Sequence, residues 1–312
     1  MVRSRSTMPR LHRFLTPLSI RILERRRLED REHERVLLLG DPVGHSLSPK
    51  FQNAGFTAAG VSVRYQVRRV APLELAGVVR EIRDDPRIIG ANVTIPHKLA
   101  VVSLLDELAP EAAAVGAVNT LSRRGSRLIG SNTDVAGFRR ALSEVLPPPL
   151  GEDRGGGPRS ALILGAGGAA RAVAYVLGLL RAELFIVSRD LDAGRRLVRQ
   201  LHLEHARATP MGSLALMVPA VELIVNATPV GIDGKSLLFP AEWLTPRHFV
   251  FDLLYNPPVT PLVEAALAHG ARAVTGLDML LYQGAASFEI WTGKPAPEPA
   301  MREALQQAVS PG

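Results

Sequence analysis

Short apolar runs alternate with amphipathic stretches along most of the chain. Residues 36–40 (VLLLG) read as a buried strand ending in a turn signal. Polar turn residues follow through Pro49, and 50–59 takes a helical pattern. Residues 61–70 alternate apolar and polar like a half-buried strand, and 72–83 predict a helix. A strand follows at 88–93, cut off at Pro96, and the apolar spacing of 97–108 predicts another helix. The stretch 146–159 (LPPPLGEDRGGGPR) keeps no period, and its prolines and glycines read as a linker. Beyond it, the run 161–164 enters a glycine-rich turn and a helical pattern to 180. Strands are predicted at 183–187, 221–225, 249–253 and 271–274, a helix at 192–202, and helix without strand over 277–308. Such alternation implies α/β units around mostly parallel sheets. There is no internal repeat at a solenoid period.

Length, 312 residues, suits two domains, and 46% hydrophobic residues suffice for real cores. The absence of cysteine excludes disulfides, thiolate zinc sites and a cysteine nucleophile. A reducing, cytoplasmic location is compatible with that and is the expectation. The pI near 10.3 invites a nucleic-acid reading. Residues 1–35, however, hold ten arginines and five acids, so +5 of the net +7 sits in this extension. A basic extension reads as a solvated segment, with an RNA-, membrane- or partner-binding arm as the alternative. Its first 23 residues hold five arginines and no acid, as a transit peptide does; an upstream translation start explains them equally. No apolar run reaches the length of a membrane helix.

The turn Gly165-Ala166-Gly167-Gly168-Ala169-Ala170 fits G-x-G-x-x-A between a strand and a helix. Gly165 permits the tight turn, Gly167 lets backbone approach a pyrophosphate, and Ala170 lets helix and strand pack closely. The helix N-terminus then faces the phosphates. About 20 residues on, the next strand ends at Ser188-Arg189-Asp190, where the adenosine ribose is read. Arg189, with Arg195 nearby, suits a 2′-phosphate. Asp190 suits a free 2′-hydroxyl and repels a phosphate. NADP is favoured, with NAD as the alternative. Four polar clusters in the first half, 44–49, 92–98, 116–120 and 132–134, and a distant fifth at 276–284 stand out against apolar surroundings. Most fall where a strand or turn ends, which is where open α/β sheets bind ligands.

Eight motifs run along the chain: GHSLSP (44–49), NVTIPHK (92–98), GAVNT (116–120), NTD (132–134), GAGGAAR (165–171), NATPVG (226–231), YNPPVTPL (255–262) and GLDMLLYQGA (276–285). Together they resemble the shikimate dehydrogenase family over 36–305. The resemblance implies an N-terminal α/β substrate-binding catalytic domain, 36–145, to which 277–312 returns. It implies a Rossmann-type NADP-binding domain over 146–276, with 1–35 outside both. It implies that Ser46 and Ser48 bind a substrate carboxylate, and that Thr94, Asn119, Asp134 and Gln283 bind ring hydroxyls. Lys98 and Asp134 become the catalytic pair, and Asn226, Thr228, Gly276 and Met279 lie near the cofactor with the 165–169 turn. Tyr255 either reaches the substrate or only packs. His45 and His97 are expected to be structural or peripheral.

Blander uses exist for these residues: a solvated helix lysine, an N-cap aspartate, serines bracing a turn before Pro49. The implied activity is reversible, NADPH-dependent reduction of 3-dehydroshikimate to shikimate in chorismate and aromatic amino-acid biosynthesis, with no metal. The implied partner is this small molecule, with no nucleic acid or membrane, in a monomer or homodimer. Two departures stand out. Ser188-Arg189-Asp190 stands where the family often shows Asn-Arg-Thr, and the basic extension has no family counterpart. Ser48 is intact, where relatives favouring quinate tend to carry threonine. The rivals are an NAD-dependent quinate/shikimate dehydrogenase and a non-catalytic metabolite sensor.

Overall fold

The computed structural model describes residues 34–146 and 157–309. Expectations for 1–33 and for 147–156, the middle of the linker, lie outside the described residues.

The first unit runs β1 (Glu34–Gly40), α1 (Ser48–Ala58), β2 (Val63–Arg69), α2 (Leu75–Asp84), β3 (Ile88–Val93), β4 (Glu107–Leu108), α3 (Pro110–Val115), β5 (Thr120–Arg124), β6 (Arg127–Ser131) and α4 (Thr133–Val145). Its six strands lie in the order β2-β1-β3-β5-β6-β4. β1 pairs in parallel with β2 and β3, and β4 with β6; β5 runs antiparallel to β3 and β6. Both faces of β1 are buried. Val36 and Leu38 enter one core with Phe51, Phe56, Phe138 and Phe288, while Leu37 and Leu39 enter another with Val78, Val79 and Ile82. That explains why this strand reads as a continuous apolar run.

The second unit runs β7 (Ser160–Leu164), α5 (Gly168–Leu179), β8 (Glu183–Val187), α6 (Leu191–Gln200), β9 (Ala206–Thr209), α7 (Leu214–Met217), β10 (Leu223–Asn226), β11 (Phe249–Asp252), α8 (Pro261–Ala268) and β12 (Arg272–Thr275). Its strands are all parallel, in the order β9-β8-β7-β10-β11-β12. Counted along the chain this is the 3-2-1-4-5-6 order of a dinucleotide-binding sheet. The order reverses between β7 and β10, so the crevice opens beyond Leu164 and Asn226. The chain then returns to the first unit: α9 (Leu277–Thr292) packs on α4, and α10 (Glu298–Val309) on α1.

One expected element differs. Residues 97–108 form turns, a 3-10 segment at Ala100–Leu104 and strand β4, not a helix. Neighbouring segments claim their backbone. The Lys98 carbonyl accepts from Val118 N–H at 2.8 Å, and Asp106 N–H donates to the Leu128 carbonyl at 3.0 Å.

Candidate active site

Lys98 lies two residues past Pro96, in the turn that leaves β3, and Asp134 lies in the first turn of α4. Lys98 Nζ donates to Asp134 Oδ2 at 2.5 Å, across 36 positions of chain. Their side chains are 14% and 6% exposed, so water screens the pair poorly. Asn132, not Asp134, is the N-cap residue of α4. Asn119 holds the other oxygen: its Nδ2 donates to Asp134 Oδ1 at 2.8 Å, to Thr133 Oγ1 at 2.8 Å and to Gln283 Oε1 at 3.3 Å. Gln283, on α9, thus meets Asn119, and through it Asp134, only because α9 folds back across the first unit.

Ser46 and Ser48 flank the entry to α1. Ser46 Oγ–H donates to Ser48 Oγ at 3.2 Å and accepts from Ser48 N–H at 3.2 Å. The Tyr255 hydroxyl lies beside Ser46 and the Leu47 backbone, and burial pushes its pKa up. Thr94 stands half-buried at the end of β3, and its hydroxyl makes no side-chain hydrogen bond among the described residues. His97 is buried, with Nε2 at 2.7 Å from the Val70 carbonyl oxygen, and His45 is exposed.

Beneath these groups runs a buried polar chain in which sequence reasoning gave no member but Asn119 a role. Tyr65 lies against Ser48, and its hydroxyl donates to Asn92 Oδ1 at 2.7 Å; burial pushes the phenol far up. Asn92 Nδ2 donates to the Asn119 carbonyl, to Thr120 Oγ1 and to Ser287 Oγ, each at 3.1 Å. Ser287 Oγ lies 3.0 Å from Thr133 Oγ1. One hydrogen-bonded floor therefore runs from Tyr65, beside Ser48, to Asn119 under the Lys98–Asp134 pair. The available signal was Tyr65 itself, a polar aromatic at an inward position of an alternating strand.

Across the crevice, Gly165 has φ +110°, and a Cβ there would stand 2.9 Å from the Ala227 carbonyl oxygen. Only glycine meets both demands. Gly167, the N-cap of α5, is open on its Cβ side, and among the described residues no side chain caps the helix. A Cβ at Gly168 would lie 2.7 Å from Lys98 Cβ, so the glycine turn rests on the lysine stem. Ala166 and Ala169 are half-buried in the same turn. Asn226 is fully engaged: Oδ1 accepts from Thr228 Oγ1–H at 2.7 Å, and Nδ2 donates to Asp252 Oδ1 at 3.0 Å. It shapes its turn and leaves no amide for a ligand. Gly276 abuts the Leu253 backbone too closely for a side chain, and Met279 is buried one turn on. Ser188, Arg189 and Asp190 close the far end of β8.

A polar cleft facing a dinucleotide-type sheet places the chain among two-unit α/β oxidoreductases. Residues 38–121 match the shikimate dehydrogenase substrate binding domain, and 276–306 match the shikimate 5′-dehydrogenase C-terminal domain. The NADP(+) shikimate dehydrogenase of Desulforamulus reducens is 42% identical over 287 residues, 88% of this chain and 95% of that protein. The crystal structure of shikimate 5-dehydrogenase from Thermus thermophilus with NADP(H) and shikimate superimposes with TM-score 0.76. It is 36% identical over 88% of this chain and 99% of that one. Quinate dehydrogenase from Corynebacterium glutamicum, solved with NAD, gives TM-score 0.77 at 27% identity over 88% and 99%. The chain belongs to the shikimate dehydrogenase family.

Proposed function

We propose that this protein catalyses the reversible, NADPH-dependent reduction of 3-dehydroshikimate to shikimate. The observation that carries the reading is the shielded Lys98–Asp134 pair at 2.5 Å, with the Lys98 stem against Gly168 of the cofactor turn. The crevice fits a dinucleotide: the α5 N-terminus is uncapped, Gly167 leaves the approach open, and Gly165 removes the obstruction at Ala227.

When bound, the reduced dinucleotide supplies a hydride to the ring ketone. Lys98 stabilises the negative charge that develops on the ketone oxygen and gives that oxygen its proton, yielding the alcohol and the oxidised cofactor. Asp134, braced by Asn119, aims the ammonium. Ser46 and Ser48, with Tyr255 alongside, bind the ring carboxylate, and Thr94, Asn119, Asp134 and Gln283 bind the hydroxyls. Met279 and Gly276 border the nicotinamide end, Asn226 and Thr228 shape the turn beside it, and Ser188, Arg189 and Asp190 border the ribose.

Residues 36–145 with 277–312 form the catalytic domain, and 146–276 the cofactor domain. The packing of α9 on α4 and of α10 on α1 supports that division. Among the described residues no helix is long and apolar enough to cross a membrane. The reading places the enzyme in the cytoplasm, which cell fractionation would check.

The deciding assay compares steady-state rates for shikimate and quinate, each with NADP and with NAD. Shikimate with NADP is expected to be fastest. Faster quinate oxidation with NAD would replace the reading with a quinate dehydrogenase, and tight binding without cofactor reduction would replace it with a sensor.

A further inference from the structure

The turn after β8 carries an acid close to where this kind of sheet reads the adenosine ribose. A bare carboxylate there accepts from ribose hydroxyls and repels a 2′-phosphate. Asp190 is not bare. It is the N-cap of α6, and its Oδ1 accepts from Asp192 N–H at 2.9 Å. Its Oδ2 accepts from Arg196 Nη2 at 3.0 Å. The nearby Ala193 N–H, together with these contacts, holds the carboxyl below its ordinary range. Ser188 Oγ–H donates to the Asp190 carbonyl at 2.6 Å and pins the turn. Arg195 is taken by Asp192 at 3.0 Å. Arg189 is exposed, and among the described residues it makes no ion pair or side-chain hydrogen bond. The turn thus offers one uncommitted guanidinium beside an acid whose two oxygens face its own helix.

We propose that the Asp190–Arg196 pair sets the dinucleotide preference of this chain. Arg196 draws Asp190 away from the ribose edge and offsets its charge, which leaves Arg189 to meet the 2′-phosphate. The pair's side chains are 62% and 52% exposed. An ion pair so exposed adds little to stability, so its removal tests recognition and not folding. The inference rests on the dehydrogenase reading above for the site of the ribose.

The experiment measures dissociation constants for NADP and NAD by calorimetry on the full chain. The proteins are the wild type, Arg196→Ala, Asp190→Ser, which keeps a capping side chain, and the double variant. The NADP-to-NAD selectivity ratio from kcat/KM with shikimate serves as the second readout. Arg196→Ala is expected to lower selectivity roughly tenfold, chiefly through weaker NADP binding. Made in the Asp190→Ser background, the same change is expected to do almost nothing, because no carboxylate remains to be masked. An equal loss in both backgrounds would overturn the proposal and make Arg196 a direct phosphate ligand. No loss in the wild-type background would overturn it too, leaving a surface ion pair. Absent shikimate turnover in the wild type would sink the dehydrogenase reading, while the calorimetric ratios would still judge the pair.

Discussion

Among the described residues Lys98 has one charged partner, and little water reaches it. Removing it leaves Asp134, 6% exposed, with the Asn119 amide as its remaining side-chain partner among the described residues. Taking away one member of a buried pair strands the other, which is strongly destabilising. Lys98→Ala is therefore expected to act twice. kcat should fall by about 10²–10⁴, the usual contribution of a positioned proton donor, with the shikimate KM little changed. The melting temperature should fall as well. Steady-state kinetics and thermal melts on the same preparation check both, and a kcat within a factor of a few of wild type would remove Lys98 from the chemistry. The pair was legible in the sequence because each partner sits inside a distinctive motif. Tyr65, Asn92, Thr120 and Ser287 were not assigned roles, for a physical reason: Asn92 and Ser287 are 195 positions apart and meet only through the return of α9.

The crossing of α4 and α9 sets the spacing between Asp134 and Gln283, and Gly137 sets the crossing. A Cβ at Gly137 would lie 2.8 Å from Gln283 Cβ and 2.9 Å from both Gln283 N and Met279 O. In an open helix interior, Gly→Ala gains up to about 1 kcal/mol. Here two of the three obstacles are backbone, so overpacking of about 1–3 kcal/mol should win. Gly137→Ala is expected to lower stability in urea and raise the shikimate KM by separating the helices; higher stability with unchanged KM would show that they part freely. At the end of α2, Asp85 accepts from the Arg87 backbone N–H at 3.0 Å and guanidinium at 2.8 Å, and from Arg35 of β1 at 2.7 Å. Led by the Arg87 side chain, these bonds pull its pKa down to about 2. A depressed acid stabilises the fold above its unfolded pKa of about 4 and loses that contribution as pH falls toward 2. Asp85→Asn should accordingly melt lower than wild type at neutral pH, with the gap closing in acid; a constant gap would deny the linkage. Sequence legibility at this scale followed burial. β7, β8, β10 and β11 are nearly wholly buried, so each shows as an apolar run beside a turn. The hairpin β5–β6 and edge strand β9 were missed because arginines and exposed positions interrupt their pattern.

The two sheets are joined by more than the chain. Phe138 of α4 packs on Phe251 of β11 with ring centroids 5.2 Å apart, and Gly168 rests on Lys98. The most unusual tie is Arg171, in the first turn of α5. It is 4% exposed, and its Nε donates to the Val115 carbonyl at 2.6 Å. Gly116 makes room for it: φ is +66°, and a Cβ would stand 2.9 Å from Arg171 Nη2. No carboxylate pairs with this guanidinium among the described residues, and burial pulls its pKa down. An uncompensated buried charge costs several kcal/mol, whereas the Val115 carbonyl would lose about 1–3 kcal/mol if stranded. These oppose each other, so Arg171→Met should barely move the melting temperature. Activity has no such offset. The tie sets α5 and its glycine turn against the segment that runs to Asn119, and the Val118 N–H of that segment holds the Lys98 carbonyl. Arg171→Met is expected to lower kcat/KM for shikimate at least roughly tenfold, the effect of a small misplacement of reacting groups. Arg171→Lys, which keeps the charge but not the Nε fork, should recover little of it. Full activity in Arg171→Met would mean that the aromatic and glycine contacts alone hold the two sheets in register.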